Sequence, residues 1–305
     1  MMKAKACLDE WVRNGVLSPA EFEWRENALL SEMTSFHTGG KTSVFYPLTE
    51  EAAVKAYAAF KKEKIPLFIL GGGTNVIAKD EGYDGVVFSA ARLKEITVKG
   101  AEIRAQSGVP VTSFAVTAWK NGLSGSEFYY GIPGTVGGAV FMNAGAYGGE
   151  TGQICVSVRA VSPEGEIAEF TGKECDFSYR HSVFADNGFF ILSASFRLEK
   201  GDPASVREKM DDLMARRKAK QPLEYPSAGS TFKRCEGRFT AQVIDELGLK
   251  GLRVGGAMVS EKHAGFVINF DSATSADVFA VIDEVKRIVR EKENLSIECE
   301  VRVIE

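Results

Sequence analysis

Histidine and cysteine are scarce in this 305-residue chain, and neither is grouped. The three histidines, His37, His181 and His263, stand far apart. The five cysteines, Cys7, Cys155, Cys175, Cys235 and Cys299, form no C-x-x-C pair. That spacing excludes the familiar zinc patterns, and an odd, scattered set of thiols is no disulfide framework. It fits a reducing compartment, and the expected location is the cytoplasm. An excess of one charge is also lacking. The formal net charge is −4, so no bulk field recruits nucleic acid or an anionic membrane, and neither is an expected partner. Residues 1–14 carry Asp9, Glu10 and Trp11 where a secretory leader needs an apolar run.

One absence has a second meaning. Residues 128–149 contain no charged side chain and are long enough to cross a bilayer. They also contain seven glycines, Pro133 and Asn143, which a lipid-exposed helix does not tolerate well. An uncharged, glycine-rich stretch of this length in a protein that is 45% hydrophobic and 26% charged points instead to a segment wrapping a large ligand.

Periodicity predicts helices over 3–33, 50–63, 111–121, 204–221, 240–247 and 276–293. It predicts strands over 44–47, 66–70, 86–88, 96–98, 103–105, 155–160, 167–170, 189–197, 258–259, 266–269 and 295–304. Strands interleaved with a few helices make an α+β protein. The texture changes at Gly201-Asp202-Pro203, which puts a domain boundary near residue 200.

Five motifs carry chemistry. Gly71-Gly72-Gly73-Thr74-Asn75 follows an apolar strand; consecutive glycines let backbone N–H groups converge on an anion, although a tight turn reads the same way. No Gly-Lys-Ser/Thr follows, so it is not a Walker loop. Gly131-Ile132-Pro133-Gly134-Thr135-Val136-Gly137-Gly138 leads into Asn143-Ala144-Gly145; its spacing is not G-x-G-x-x-G, yet its glycine density favours a cofactor over a structural loop. Ser178-Tyr179-Arg180-His181-Ser182 offers an arginine for a carboxylate. Ser227-Ala228-Gly229-Ser230-Thr231-Phe232-Lys233 gathers hydroxyls and a cation, but a lone serine more often closes a turn. Glu298, Glu300 and Arg302 share one face of an alternating segment, which is also how a solvated edge strand reads.

Taken in order, these segments resemble the UDP-N-acetylenolpyruvoylglucosamine reductase family, from about Ser35 to the end of the chain. The resemblance implies an FAD-binding fold of the vanillyl-alcohol-oxidase (PCMH) type with two subdomains, plus a C-terminal α+β substrate-binding domain. The implied division is a helical extension over 1–33, a flavin domain over 34–200, a substrate domain over 201–297, and a strand over 298–305 returning to the flavin domain. The short segment between Tyr179 and the region 216–233 resembles the shorter, type II members.

The resemblance further implies noncovalent FAD held by Gly71, Gly72, Gly73, Thr74, Asn75, Gly131, Ile132, Pro133, Gly134, Thr135, Gly137, Gly138, Asn143, Ala144 and Gly145. It implies catalytic roles for Arg180, Ser230 and Glu300, and contact of Tyr179, Lys233 and His263 with the UDP-sugar. NADPH would be the hydride donor and UDP-N-acetylglucosamine enolpyruvate the acceptor. Two departures lie near the implied substrate site: Arg234-Cys235 where the family has Asn-Pro, and Met258 where it often has Gln. An oxidase of the same fold is the main alternative. Such oxidases often attach FAD through His or Cys near the first glycine loop, and residues 71–85 contain neither. The other alternative is a non-catalytic nucleotide-binding module.

Overall fold

The computed structural model describes residues 2–235 and 237–305. They form two compact units, each assembled from three stretches of chain. The first comprises Met1–Glu26, Ser43–Gly72 and Gly85–Arg216; the second comprises Asn27–Thr42, Gly73–Asp84 and Arg217–Glu305.

The first unit is built on two sheets. In one, the strands run in the order Phe22–Leu29, Lys41–Pro47, Val86–Ser89, Leu67–Leu70, and the last three pair in parallel. The helix Glu50–Lys62 makes the crossover that parallel strands require. It starts where the Thr49 hydroxyl accepts the N–H of Ala52 at 3.1 Å, a side-chain cap for a donor the helix cannot satisfy itself. Its apolar side, Ala53, Ala56, Tyr57 and Phe60, is buried. There Phe45, Tyr57, Phe60, Phe88 and Phe190 meet with ring centroids 4.9–6.4 Å apart, the separation at which aromatic pairs attract beyond simple burial.

The second sheet is antiparallel, in the order Ile167–Thr171, Cys155–Val161, Phe190–Arg197, Glu102–Gln106, Ile96–Lys99. The helices Val111–Lys120 and Val136–Phe141 contribute Phe114, Ala115, Val136 and Val140 to its core. The helix Pro203–Lys220 adds Val206, Met210 and Leu213 to that same core, so the first unit extends past the change of texture at residue 201. Nearby, the buried Glu127 carboxylate accepts from the Ser124 hydroxyl (2.6 Å), the Gly125 N–H (3.0 Å) and the Lys209 ammonium (3.3 Å). Burial pushes this carboxyl upward, but those donors outweigh it and hold it below the ordinary carboxylate value.

The second unit carries a small antiparallel sheet, Arg253–Val254, Ala257–Val259, Val267–Asn269. The helix Ser275–Glu293 packs on it through Val278, Val281, Ile282, Val285 and Val289. Thr274 and Asp277 cap that helix reciprocally. Phe36 and Ile77, from the two short stretches of the unit, are fully buried in the same core. Strand Arg302–Ile304 pairs in parallel with Val76–Ala78, within this unit.

Two expectations are corrected. Residues 3–33 are not one helical region: the helix is Met2–Arg13, Gly15 follows at φ +70°, and Phe22–Leu29 is a strand. Phe22 and Trp24 fit a period of two as well as a helix, and the sheet takes Phe22, which stacks on Phe45 at 5.2 Å. Nor is 295–304 one strand. Its first part bonds antiparallel to 231–233, with Lys233 N–H donating to Glu298 O and Glu300 N–H to Thr231 O. Its last part pairs parallel with Val76–Ala78. The change of partner between Glu300 and Arg302 interrupts the ladder.

Candidate active site

In the first unit the two glycine loops meet backbone to backbone. A Cβ on Gly71 would lie 2.7 Å from the Thr135 hydroxyl oxygen, and one on Gly72 would lie 2.8 Å from Gly134 Cα. Only glycine permits this approach. Among the described residues, the N–H groups of Gly71 and Gly72 donate to no backbone carbonyl. The second loop is held from below by segment 107–112. Gly137 N–H donates to Ser107 O at 2.8 Å, Val136 N–H to Val109 O at 2.8 Å, and Val111 N–H to Gly134 O at 3.1 Å. The Thr112 hydroxyl donates to the carbonyls of Tyr130 and Ile132 at 3.3 and 3.5 Å. Thr135 then caps the helix Val136–Phe141, accepting from Gly138 N–H at 3.5 Å. The Ser107 hydroxyl is buried beside Gly137 and has no partner among the described residues.

These contacts sort the expected flavin residues. Gly71 and Gly72 lie so close to Thr135 and Gly134 that a side chain on either would collide with the second loop. Gly131, Ile132 and Pro133 lead into it, with Pro133 exposed. Gly137 and Gly138 use their N–H groups inside the protein. Ala144 and Gly145 follow, Ala144 bonded to Ala139 O and Gly145 opening the hairpin to Glu150. A glycine cradle with backbone donors, and no lysine or arginine in either loop, suits a dinucleotide pyrophosphate bound close to the backbone. The expected FAD therefore fits the residues present.

The side chain of Asn143 is engaged within the protein. It is 1% exposed. Its carbonyl oxygen accepts Gly152 N–H at 2.8 Å, and its amide donates to Ser178 O at 3.0 Å. That carbonyl belongs to the tight turn 178–181, closed by reciprocal bonds between Ser178 and His181. Tyr179 and Arg180 form its tip. Arg180 has φ +55°, a left-handed conformation that costs a non-glycine residue roughly 1–2 kcal/mol and often marks a functional position. Its guanidinium lies 5.3 Å from the centroid of the exposed Tyr179 ring. His181 Nε2 meets the Asp186 carboxylate at 2.8 Å, and the buried Ser182 hydroxyl donates to Phe141 O at 2.8 Å.

In the second unit, Ser230 and Glu300 come together through backbone. Ser230 follows Gly229, which has φ +76°, and precedes Thr231, whose carbonyl accepts Glu300 N–H at 2.8 Å. Among the described residues no partner is found for the Ser230 hydroxyl. Glu300 is anchored from a second side: Asn75 donates its amide to Glu300 O at 3.1 Å, and Arg302 N–H returns to Asn75 O at 3.0 Å. Asn75 thereby ties the segment Gly73-Thr74-Asn75, from the first glycine loop, to the last strand. The His263 loop joins the same cluster, since Thr231 N–H donates to Gly265 O at 2.8 Å. His263 Nδ1 accepts Gly265 N–H at 3.1 Å, so the ring carries its proton on Nε2, and burial lowers its tendency to take a second. Lys233 lies farther out and pairs with Glu298 at 2.9 Å, both exposed. The roles of Asn75, Asn143 and Ser182 as anchors were not visible in their motifs, because their partners lie 35 to 225 residues away or on another motif.

No group of three His, Cys, Asp or Glu able to hold a metal occurs among the described residues, and no described helix is long and apolar enough to cross a membrane.

Residues 42–171 match the model of the FAD binding domain, and residues 221–304 match that of the C-terminal domain of UDP-N-acetylenolpyruvoylglucosamine reductase. Curated proteins of that name are similar throughout. The one from Clostridium novyi is 47% identical over 283 residues, covering 92% of both chains. That from Lactobacillus acidophilus is 43% identical, covering 92% of this chain and 94% of its own. The crystal structure of the reductase from Thermus caldophilus superposes with a TM-score of 0.81 at 31% identity, covering 93% of this chain and all of that one.

Proposed function

This chain belongs to the UDP-N-acetylenolpyruvoylglucosamine reductase family, and from that premise we propose that it reduces UDP-N-acetylglucosamine enolpyruvate to UDP-N-acetylmuramate, using FAD and NADPH, with Arg180, Ser230 and Glu300 as its catalytic residues. It is an FAD-dependent oxidoreductase of peptidoglycan precursor synthesis. The observation that carries the residue assignment is the pairing of Ser230 and Glu300 by the bond from Glu300 N–H to Thr231 O.

FAD, when bound, would supply the redox chemistry that carries hydride from NADPH to the substrate. The loops 71–75 and 131–138, with 143–145, would hold it noncovalently. Arg180 meets the enolpyruvyl carboxylate, where negative charge grows as the double bond is saturated. The Ser230 hydroxyl protonates the neighbouring carbon, and Glu300 polarises or relays that proton. A serine is a weak acid in water, but the enolate it faces is a strong base. Tyr179, Lys233 and His263 contact the UDP-sugar. In this reading 298–305 delivers Glu300. The reaction partners are small molecules, with neither nucleic acid nor membrane involved. The free thiols support a cytoplasmic location.

Ser230→Ala tests the assignment. Followed anaerobically by flavin absorbance, it should slow reoxidation by the enolpyruvyl substrate far more than reduction by NADPH. Equal slowing of both half-reactions would remove Ser230 as proton donor.

A further inference from the structure

We propose that Ser182 and Asn143 are positioning residues for the reduction, locking the Arg180 turn in register with the helix that leaves the second glycine loop; this rests on the role given to Arg180 above. Two hydrogen bonds carry the inference. The Ser182 hydroxyl donates to Phe141 O at 2.8 Å, and the Asn143 amide donates to Ser178 O at 3.0 Å. They start from opposite sides and cross between the same two segments. On one segment they land at 178 and 182, straddling Arg180. On the other they land at 141 and 143, at the end of the helix Val136–Phe141. That helix begins at Thr135, the residue against which Gly71 packs. An unbroken path of short contacts thus joins the flavin cradle to the backbone of Arg180.

Ser182 is 0% exposed and Asn143 1%, so both donor side chains are enclosed, while Ser178, at the far end of the Asn143 bond, is exposed. The orientation of the Asn143 amide is fixed by its other end, where the oxygen accepts Gly152 N–H. Asn143 itself has φ +42°, a conformation asparagine accepts more readily than most residues. Ser178 O serves two donors, His181 N–H and the Asn143 amide, so the closing bond of the turn and its anchor share one atom. A bidentate guanidinium–carboxylate contact depends on where the arginine backbone is placed, and misplacement by about 1 Å can cost on the order of a hundredfold in rate.

A double-mutant cycle on the full-length, FAD-loaded protein tests this, using Ser182→Ala, Arg180→Lys and the pair. Anaerobic stopped-flow gives the rate of flavin reoxidation by UDP-N-acetylglucosamine enolpyruvate. Perturbation of the flavin spectrum by added UDP-N-acetylmuramate gives product affinity independently of turnover. Arg180→Lys should slow reoxidation, and Ser182→Ala should slow it by roughly tenfold to a hundredfold. FAD content and reduction by NADPH should stay within about twofold in Ser182→Ala, and the pair should be no more than about twofold slower than Arg180→Lys alone. Product affinity should show the same loss of additivity. Asn143→Asp keeps the acceptor for Gly152 and removes the donor to Ser178; because residue 143 also belongs to the flavin-holding stretch, unchanged FAD affinity is not expected of it, but in FAD-saturated protein its reoxidation rate should fall relative to its own reduction rate, and that ratio decides the matter if Ser182→Ala fails to load FAD. If Arg180→Lys is slow but the positioning variants are unaffected, or multiply fully with it, the proposal is overturned. If Arg180→Lys reoxidises at the wild-type rate, the role of Arg180 falls first and this proposal with it.

Discussion

Replacing Gly72 by alanine probes the closest approach in the cradle. The added Cβ would sit 2.8 Å from Gly134 Cα, 3.3 Å from its carbonyl carbon and 3.6 Å from its nitrogen. Carbon atoms at rest are about 3.5–4.0 Å apart, so one loop must withdraw by roughly 0.7–1.2 Å. Both partners are backbone, and no side chain can rotate away. Forcing such a shift costs typically about 1–3 kcal/mol, which corresponds to roughly 5- to 150-fold in a dissociation constant if the strain is relieved by moving the loop that meets the flavin. Titrating apoprotein with FAD, read by flavin fluorescence, measures it. Gly138→Ala in the same loop is the control: its Cβ has ordinary contact with Thr135 at 3.7 Å, and it lies in a helix, where alanine is favoured by about 0.8–1.0 kcal/mol. Wild-type FAD affinity in Gly72→Ala would refute the idea that contact between the loops builds the site. Weakened affinity in Gly138→Ala, with unchanged stability of the apoprotein, would place the flavin itself against that glycine.

Arg180→Gly should separate stability from function. Glycine relieves the left-handed backbone at φ +55°, so the melting temperature should hold or rise, by an amount corresponding to at most about 1–2 kcal/mol, while reoxidation by the enolpyruvyl substrate collapses; a fall in both would mean that the side chain is structural. Glu127, held below the ordinary carboxylate value, contributes stability that is fully present above its unfolded value and lost as pH falls through its folded value. Glu127→Gln should therefore lower stability at neutral pH and flatten the acid limb of a denaturation-versus-pH profile, and an unaltered acid limb would remove Glu127 from that linkage.

Much of the architecture was legible because most elements follow a single rule of periodicity. The helices Glu50–Lys62 and Ser275–Glu293 and the strands of the second sheet appear where apolar spacing puts them. The helix Val136–Phe141 was hidden, because Gly137 and Gly138 argue against a helix. It forms because Thr135 caps it and Val136, Ala139 and Val140 are buried. In the N-terminal stretch, local pattern was ambiguous and sheet pairing decided. The glycine loops announced themselves separately, but their contact at Gly72 and Gly134 is a fact of three dimensions. The same holds for Glu300 beside the Ser230 loop: 69 residues of intervening chain separate them, and nothing in either motif names the other.

The division of each unit among three stretches of chain bears on how the molecule can be taken apart. A fragment cut from Arg217 onward would contain the C-terminal family domain as sequence, yet it would lack Phe36 and Ile77, both wholly enclosed by its own helix and sheet residues. The vacancy would hold an aromatic ring and a branched aliphatic side chain, and each such loss typically costs several kcal/mol. It would also lose Val76–Ala78, the strand that Arg302–Ile304 pairs with. Dissection along the linear sequence therefore yields pieces with missing cores. The same interleaving demands contacts between residues far apart in the chain, which slows folding, because distant segments must meet before either core can close.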